Sequence, residues 1–395
     1  MRARGGRLHA QRTAREAEIN AHNSILTNST PNWFPQHTWH NGSAETFNQR
    51  WYIDTSSWSG AGDADVFLYI GGEGPLGGTP GGMPAVLAKE RGALLFALEH
   101  RYYGASFPAP LTDRARLTSL TVESALQDLA AFITAMQAQM GLTGKWAVIG
   151  GSYPGALSSW FRQKYPSLAT ASWSSSGVVN AVYNFTKFDG QVLLDVSAEC
   201  QAALHAVTAA FEAAWDNAST RPALLAQFNT APYFTKADMA WMLGDSAGMA
   251  AQYGAKQSLC SAMLPLTDPL AQFAAFTKEH YGPYFGSSCY YSTTCLSSPS
   301  MSDQWIAADW QWVYQCCREL AYWNVAYAGS QRSAAVTLDY FNSQCQAAMG
   351  FDPASSGANA AFNAEFGGAT PPSNQTIALN GSDDPCVVVC GRSVQ

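Results

Sequence analysis

Short apolar runs set the frame of this chain. Asp65–Ile70 (DVFLYI), Gly92–Leu98 (GALLFAL) and Trp146–Ile149 (WAVI) hold few polar positions. Runs this short and this uniform predict strands buried on both faces. Residues 44–60 read as an earlier strand and turn. Between the second and third runs, residues 119–140 place Leu120, Leu126, Leu129, Ile133 and Met136 at helical spacing. That stripe is the core-facing side of an amphipathic helix. The third run is followed by a helix to about Lys164 and another strand at Ala169–Ser175. Strand and helix in alternation predict a mostly parallel sheet covered on both faces, an α/β fold.

The rhythm changes after residue 185. Residues 186–330 are rich in Ala, Gln, Trp and Met, with helical runs at 196–216 and 303–327 and Gly/Ser/Pro-rich breaks near 282–300. This reads as a helical insertion that roofs the sheet. Past residue 350 the chain is small-residue-rich and loop-like until a last strand, Thr376–Leu379. The expected organisation is a tail over 1–30, a first sheet part over 31–185, the insertion over 186–330 and a second sheet part over 331–395. The tail carries Arg2, Arg4, Arg7, Arg12 and Arg15 and no apolar stretch, so it is not a secretory signal. A transit-like tail, a disordered tail and a misassigned start all stay open.

Composition narrows the function. With 47% hydrophobic and 13% charged residues, the 395-residue chain can bury a large core. A net charge of −7 argues against a nucleic-acid partner. No run approaches a membrane span. All nine cysteines lie at or beyond Cys200, which suggests disulfides stapling one subregion in an oxidising compartment. Nine is odd, so at least one thiol lacks an internal partner. No Cys/His spacing resembles a metal site, and no cofactor is expected. Sequons at Asn28, Asn41, Asn184, Asn217, Asn374 and Asn380 are compatible with secretion.

The candidate chemistry sits where the third strand ends. Gly150-Gly151-Ser152-Tyr153-Pro154-Gly155 reads as a strand, a tight turn and a helix start, with Ser152 at the apex. A serine on such a corner is how an α/β-hydrolase exposes its nucleophile, and the next amide, of Tyr153, points at the developing oxyanion. Pro154 replaces the last glycine of the usual pattern, which is tolerable where it opens the helix. A Gly-Ser turn without chemistry is the alternative. Gly71-Gly72-Glu73-Gly74-Pro75 follows another strand directly, where a second oxyanion donor would lie. Phosphate binding is the weaker reading, because no Gly-Lys-Ser/Thr ending follows.

Five motifs, in order, resemble one family. They are Gly-Gly-Glu-Gly-Pro (71–75), Glu-His-Arg-Tyr-Tyr-Gly (99–104), Gly-Gly-Ser-Tyr-x-Gly (150–155), Trp312-x-Tyr314-Gln315-x-Cys317 and Asn-Gly-x-x-Asp-Pro (380–385). The chain resembles the serine carboxypeptidase family that includes lysosomal Pro-Xaa carboxypeptidase, quiescent-cell proline dipeptidase and the thymus-specific serine protease. The glycine loop is most similar to the thymus-specific branch. The resemblance implies an α/β-hydrolase with an inserted helical, disulfide-bearing cap, a peptide substrate cut near proline, and a lysosomal, vacuolar or secreted location. It implies Ser152 as nucleophile and Asp384 as the acid of a triad. Oligomeric state is not legible, and a homodimer stays open.

The family pattern then breaks. Its catalytic histidine follows the acid, yet His9, His22, His37, His40, His100, His205 and His280 all precede Asp384. Cys386 stands where a tryptophan usually follows Asp-Pro, which suggests a shifted frame or altered exon end. An early Leu-Asp-His-Phe-like segment is degraded to Gln36-His37-Thr38-Trp39-His40. His100 is read as structural, in a buried polar cluster with Glu99 and Arg101. Tyr153, Gly72 and Glu73 are the oxyanion candidates. Glu73 reads either as the partner of a free peptide amine or as a loop cap. Trp312 and Tyr314, with Trp323, read as a proline pocket or as plain core. An inactive peptide-binding relative and an esterase or lipase on the same fold are the rival functions.

Overall fold

The middle strands bury both faces, as continuous apolar runs require. In the computed structural model, which describes residues 30–39, 44–113, 115–283, 285–353, 357–371 and 374–390, they are β3 (Val66–Ile70) and β4 (Leu94–Leu98), flanked by β1 (Asn32–His37) and β2 (Thr46–Asp54) and by β5 (Trp146–Gly151), β6 (Ala171–Ser175) and β7 (Thr376–Leu379). The order is β1-β2-β4-β3-β5-β6-β7. β1 and β2 pair antiparallel with each other, and β2 with β4; the other neighbours are parallel. Every position of β4 is buried, whereas β2 alternates over its first half, as a one-sided strand does.

Crossover helices join the parallel strands. These are α1 (Gly82–Arg91), α2 (Val122–Met140) and α3 (Tyr153–Lys164). The Thr121 side chain caps α2 by accepting from Ser124 N, and left-handed Gly141 ends it. Of the predicted stripe, Leu126, Leu129, Ile133 and Met136 are buried in one core with Phe96, Trp146 and Val148, whereas Leu120 precedes the helix and packs in the insertion's core.

Between β6 and β7 lies the helical insertion. Its helices include α4 (Thr186–Leu194), α5 (Ala198–Asp216), α6 (Lys236–Gln252), α7 (Gln304–Gln315) and α8 (Leu338–Met349), and α9 (Ala358–Phe366) leads back to the sheet. The insertion packs a core around Phe211, Trp241, Trp310 and Phe341, into which Tyr102, Tyr103, Leu117 and Leu120 of the first sheet part also reach. That core also takes in Val336, Cys345 and Met349. We therefore propose that the insertion ends near 349, past the expected 330. Disulfides Cys200–Cys260, Cys289–Cys295 and Cys317–Cys345 lie within it, and Cys316, Cys386 and Cys390 are free. Among the described residues, no helix is long and apolar enough to cross a membrane. The arginine-rich tail over 1–29 and sequons Asn28 and Asn41 lie outside the described residues.

The sequence reading needs correction in places. β1 was not expected, because Pro35 interrupts its pattern; an edge strand tolerates the missing donor. α1 carries too weak an apolar face to signal itself. The expected helix at 303–327 stops at Gln315, continues as a π turn over Cys316–Leu320, and then breaks at Ala321 and Tyr322, both at φ 60°. The loop expected after 350 contains α9, whose Phe362 and Phe366 pack on Trp160.

Arg332 ties the insertion together. It is buried with Asp189 at 2.9 Å and Asp245 at 3.0 Å, and Ser330 Oγ donates to Asp189 at 2.7 Å. Removing one member of a buried ion cluster strands the others. Arg332→Ala should lower the unfolding free energy by about 3–5 kcal/mol, measured by urea denaturation. A loss under about 1 kcal/mol would show that water reaches the two carboxylates.

Candidate active site

Ser152 sits between β5 and α3 with φ 59° and ψ −127°. A residue with a β-carbon reaches this region only when its neighbours hold it there, at a cost of about 1–3 kcal/mol. Ser152 N donates to Ser175 O at 2.9 Å on β6, and Ala156 N donates to Ser152 O at 3.1 Å to start α3. Pro154 stands in the first turn of that helix. A β-carbon at Gly150 would collide with the backbone at Pro154. Only glycine lets the turn close there. The outcome is an exposed hydroxyl at the top of the sheet.

The glycine loop after β3 reaches the same corner. Gly71 N donates to Leu98 O at 2.8 Å. A β-carbon on Gly72 would lie 2.6 Å from Pro154 Cγ, so this close approach also requires glycine. The structure thus brings Gly72 and Glu73 to the elbow that carries Ser152 and Tyr153. Glu73 is half-buried, and among the described residues no ion pair reaches it. Burial pushes its carboxyl up to about 7, with its own backbone N–H opposing.

Beneath the elbow runs a buried chain of hydrogen bonds. Tyr103 Oη donates to Gln315 Oε1 at 2.6 Å, and Gln315 Nε2 donates to Tyr153 Oη at 2.9 Å. His100 Nε2 lies 3.0 Å from that same hydroxyl, and His100 Nδ1 lies 2.8 Å from Arg101 O. A carbonyl only accepts, so Nδ1 carries the proton. Nε2 therefore accepts the Tyr153 hydroxyl proton. Both ring nitrogens are used, and burial holds the imidazole neutral, down to about 4. Arg101 is buried on Asp128, with Thr38 O at 3.2 Å and Ser119 O at 3.1 Å. These three neighbours form a structural cluster.

Helix α7 closes over this chain. The Trp312 ring packs 5.4 Å from Tyr153 and 6.3 Å from Tyr322, nearly parallel to the latter. Tyr314 points elsewhere, stacked on Trp310 and edge-on to Phe351 inside the helical core. Trp323 is buried against Phe341. Gln311, whose side-chain amide donates to Tyr102 O, Gln315, and Tyr322, whose hydroxyl donates to Val178 O, carry roles that the sequence pattern does not assign. The signal was present for the glutamines: two amides spaced i, i+4 on a largely apolar helix must find buried partners.

Asp384 follows β7 and is buried, its Oδ1 accepting from Cys386 N at 2.9 Å. Adjacent strands lie about 4.8 Å apart, so two spacings from β5 to β7 set the two strand ends about 10 Å apart. Of the other described histidines, His37 faces Trp39, while His205 and His280 are exposed on cap helices. Among the described residues no hydrogen bond joins a histidine to Ser152. His9, His22 and His40 lie outside them.

Residues 36–394 match the family described as serine carboxypeptidase S28. The chain belongs to that family. Relatives include a probable serine protease, EDA2, of Arabidopsis thaliana, 30% identical, covering 89% of this chain and 74% of that one. The human thymus-specific serine protease is 30% identical, covering 86% of this chain and 73% of its own length. The mouse protein of the same name is 33% identical over similar shares. Among solved structures, an acylaminoacyl peptidase from Pyrococcus horikoshii superposes with a TM-score of 0.30 at 15% identity, covering 43% of this chain and 26% of the other.

For this S28 chain the raised Glu73 carboxyl sets a sign. The folded state holds that proton more tightly than the unfolded one, whose ordinary value is 4.5. The stabilisation is full below pH 4.5 and is lost as pH rises through about 7. Relative to Glu73→Gln, unfolding free energy should fall by about 3 kcal/mol between about pH 4.5 and pH 8. Paired urea titrations measure the gap; one that does not move with pH would place Glu73 in solvent.

Proposed function

We propose that this S28 serine peptidase is an exopeptidase of proline-containing peptides, working through an acyl-enzyme. The strained, exposed Ser152 elbow with the Gly72 loop packed on it carries the reading. Ser152 Oγ attacks the scissile carbonyl carbon, and its proton goes to an imidazole. His100 is excluded as that base by its two engaged nitrogens, so the described residues do not supply it. Asp384 orients the imidazole. The N–H groups of Tyr153 and of the Gly72–Glu73 segment hold the oxyanion, each worth about 3 kcal/mol. The amine leaves with the transferred proton, and water then frees the acyl group from Ser152.

Trp312, flanked by Tyr153 and Tyr322, offers the flat apolar wall a pyrrolidine ring prefers, and we assign the pocket to it. Tyr314 lies outside that pocket, its ring enclosed in the helical core against Trp310 and Phe351. Glu73, beside the elbow and without a cation among the described residues, suits a free peptide amine. A secreted or lysosomal location is proposed from the disulfides, with glycans on exposed Asn184 and Asn217.

A fluorophosphonate probe tests the reading. It should modify Ser152, with labelling lost in Ser152→Ala. No labelling at Ser152 would favour an inactive peptide binder. Turnover of Xaa-Pro peptides above simple esters is expected, and the reverse preference would favour an esterase. Amine-dependent peptide turnover should rise with pH through about 7 as Glu73 ionises, and Glu73→Gln should flatten that limb.

A further inference from the structure

The buried carboxylate of Glu99 lies outside the triad, yet it gathers donors from three separate segments. Its Oε1 accepts from Leu76 N at 2.9 Å and from Arg50 Nε at 3.1 Å. Its Oε2 accepts from Ala105 N at 2.9 Å and Ser106 Oγ at 2.6 Å. Glu99 is fully buried, and its bonds to Leu76 N and Ser106 Oγ are buried with it. Leu76 is the far end of the glycine loop. Its carbonyl is held as well, accepting from Tyr52 Oη at 3.0 Å. The near end is fixed by Gly71 N on Leu98 O at 2.8 Å. Gly72 and Glu73 are thus carried on a short bridge pinned at both ends to β2 and β4, with Pro154 against its middle.

We infer that Glu99 is a positioning residue that sets the height of the Gly72–Glu73 amides above Ser152. A bridge rich in glycine has little stiffness of its own. Its register over the elbow comes from its anchors. A charged acceptor makes the stronger anchor, because hydrogen bonds to ionised groups are about twice as strong as neutral ones. The inference rests on the reading of this loop as the second oxyanion donor.

Two measurements separate the claims. Hydrogen exchange needs no turnover and reads the anchor directly. In Glu99→Gln, amides of the 71–76 segment should exchange at least about tenfold faster, with the 146–157 elbow segment unchanged. Tyr52→Phe, which removes only a hydroxyl, should move the same segment in the same direction by less, and it serves should Glu99→Gln fail to fold. Phosphonylation of Ser152 should slow by about 30- to 300-fold in Glu99→Gln, as for a displaced oxyanion donor, while affinity for an N-acetylated product peptide, which has no amine for Glu73 to hold, stays within about threefold. An unchanged 71–76 segment in both variants overturns the inference. So does a loosened segment with labelling at the parent rate. If the parent chain itself is not labelled at Ser152, the proposed function fails, and the exchange result still decides whether Glu99 anchors the loop.

Discussion

A serine held where serine does not sit by itself is the constraint from which the rest of this structure follows. The backbone at Ser152 stores strain. It persists because β6 takes its amide, α3 takes its carbonyl, and close backbone contact behind it admits nothing larger than glycine. Each of those supports belongs to a different element. The parallel sheet is therefore the device that turns one side chain outward, since only neighbouring parallel strands deliver their ends to the same edge.

The roof is joined to that edge through polar atoms as well as through packing. Gln315 bonds two tyrosines of the sheet part, Tyr103 and Tyr153, and His100 ends the chain by accepting from Tyr153. Such a network is fully satisfied only in one arrangement of α7 on the sheet. It fixes the Tyr153 side chain, and with it the peptide whose amide follows Ser152. The structural place of His100 and the fixed orientation of Tyr153 are thus one observation. A histidine spent on orientation is not available for proton transfer.

Much of this was legible beforehand. β3, β4, β5 and β6, helix α2 and the elbow itself follow from apolar runs, a helical stripe and a Gly-Gly-Ser-x-Pro corner. β1 was hidden by Pro35, which a pattern reading penalises and an edge position forgives. The end of α7 was hidden because the helix fails at a π turn and two left-handed residues that no glycine marks. At the site, Ser152, Tyr153, Gly72 and Glu73 were named from local chemistry and meet at one corner. Tyr314 was named from its motif and turns into the helical core. Direction around a helix separates it from Trp312, and that depends on which face the roof presents. Tyr322 gave no signal, since its place depends on the break before it.

The staples fall unevenly. All three covalent cross-links lie in the helical roof, whereas the sheet and its strained corner are held by packing, hydrogen bonds and ion pairs such as Arg101–Asp128, with no covalent cross-link among the described residues. Reducing surroundings would slacken the lid and leave the scaffold standing. Loss of the cross-links would thus be felt first by the helices above Ser152 and last by the strands that carry it.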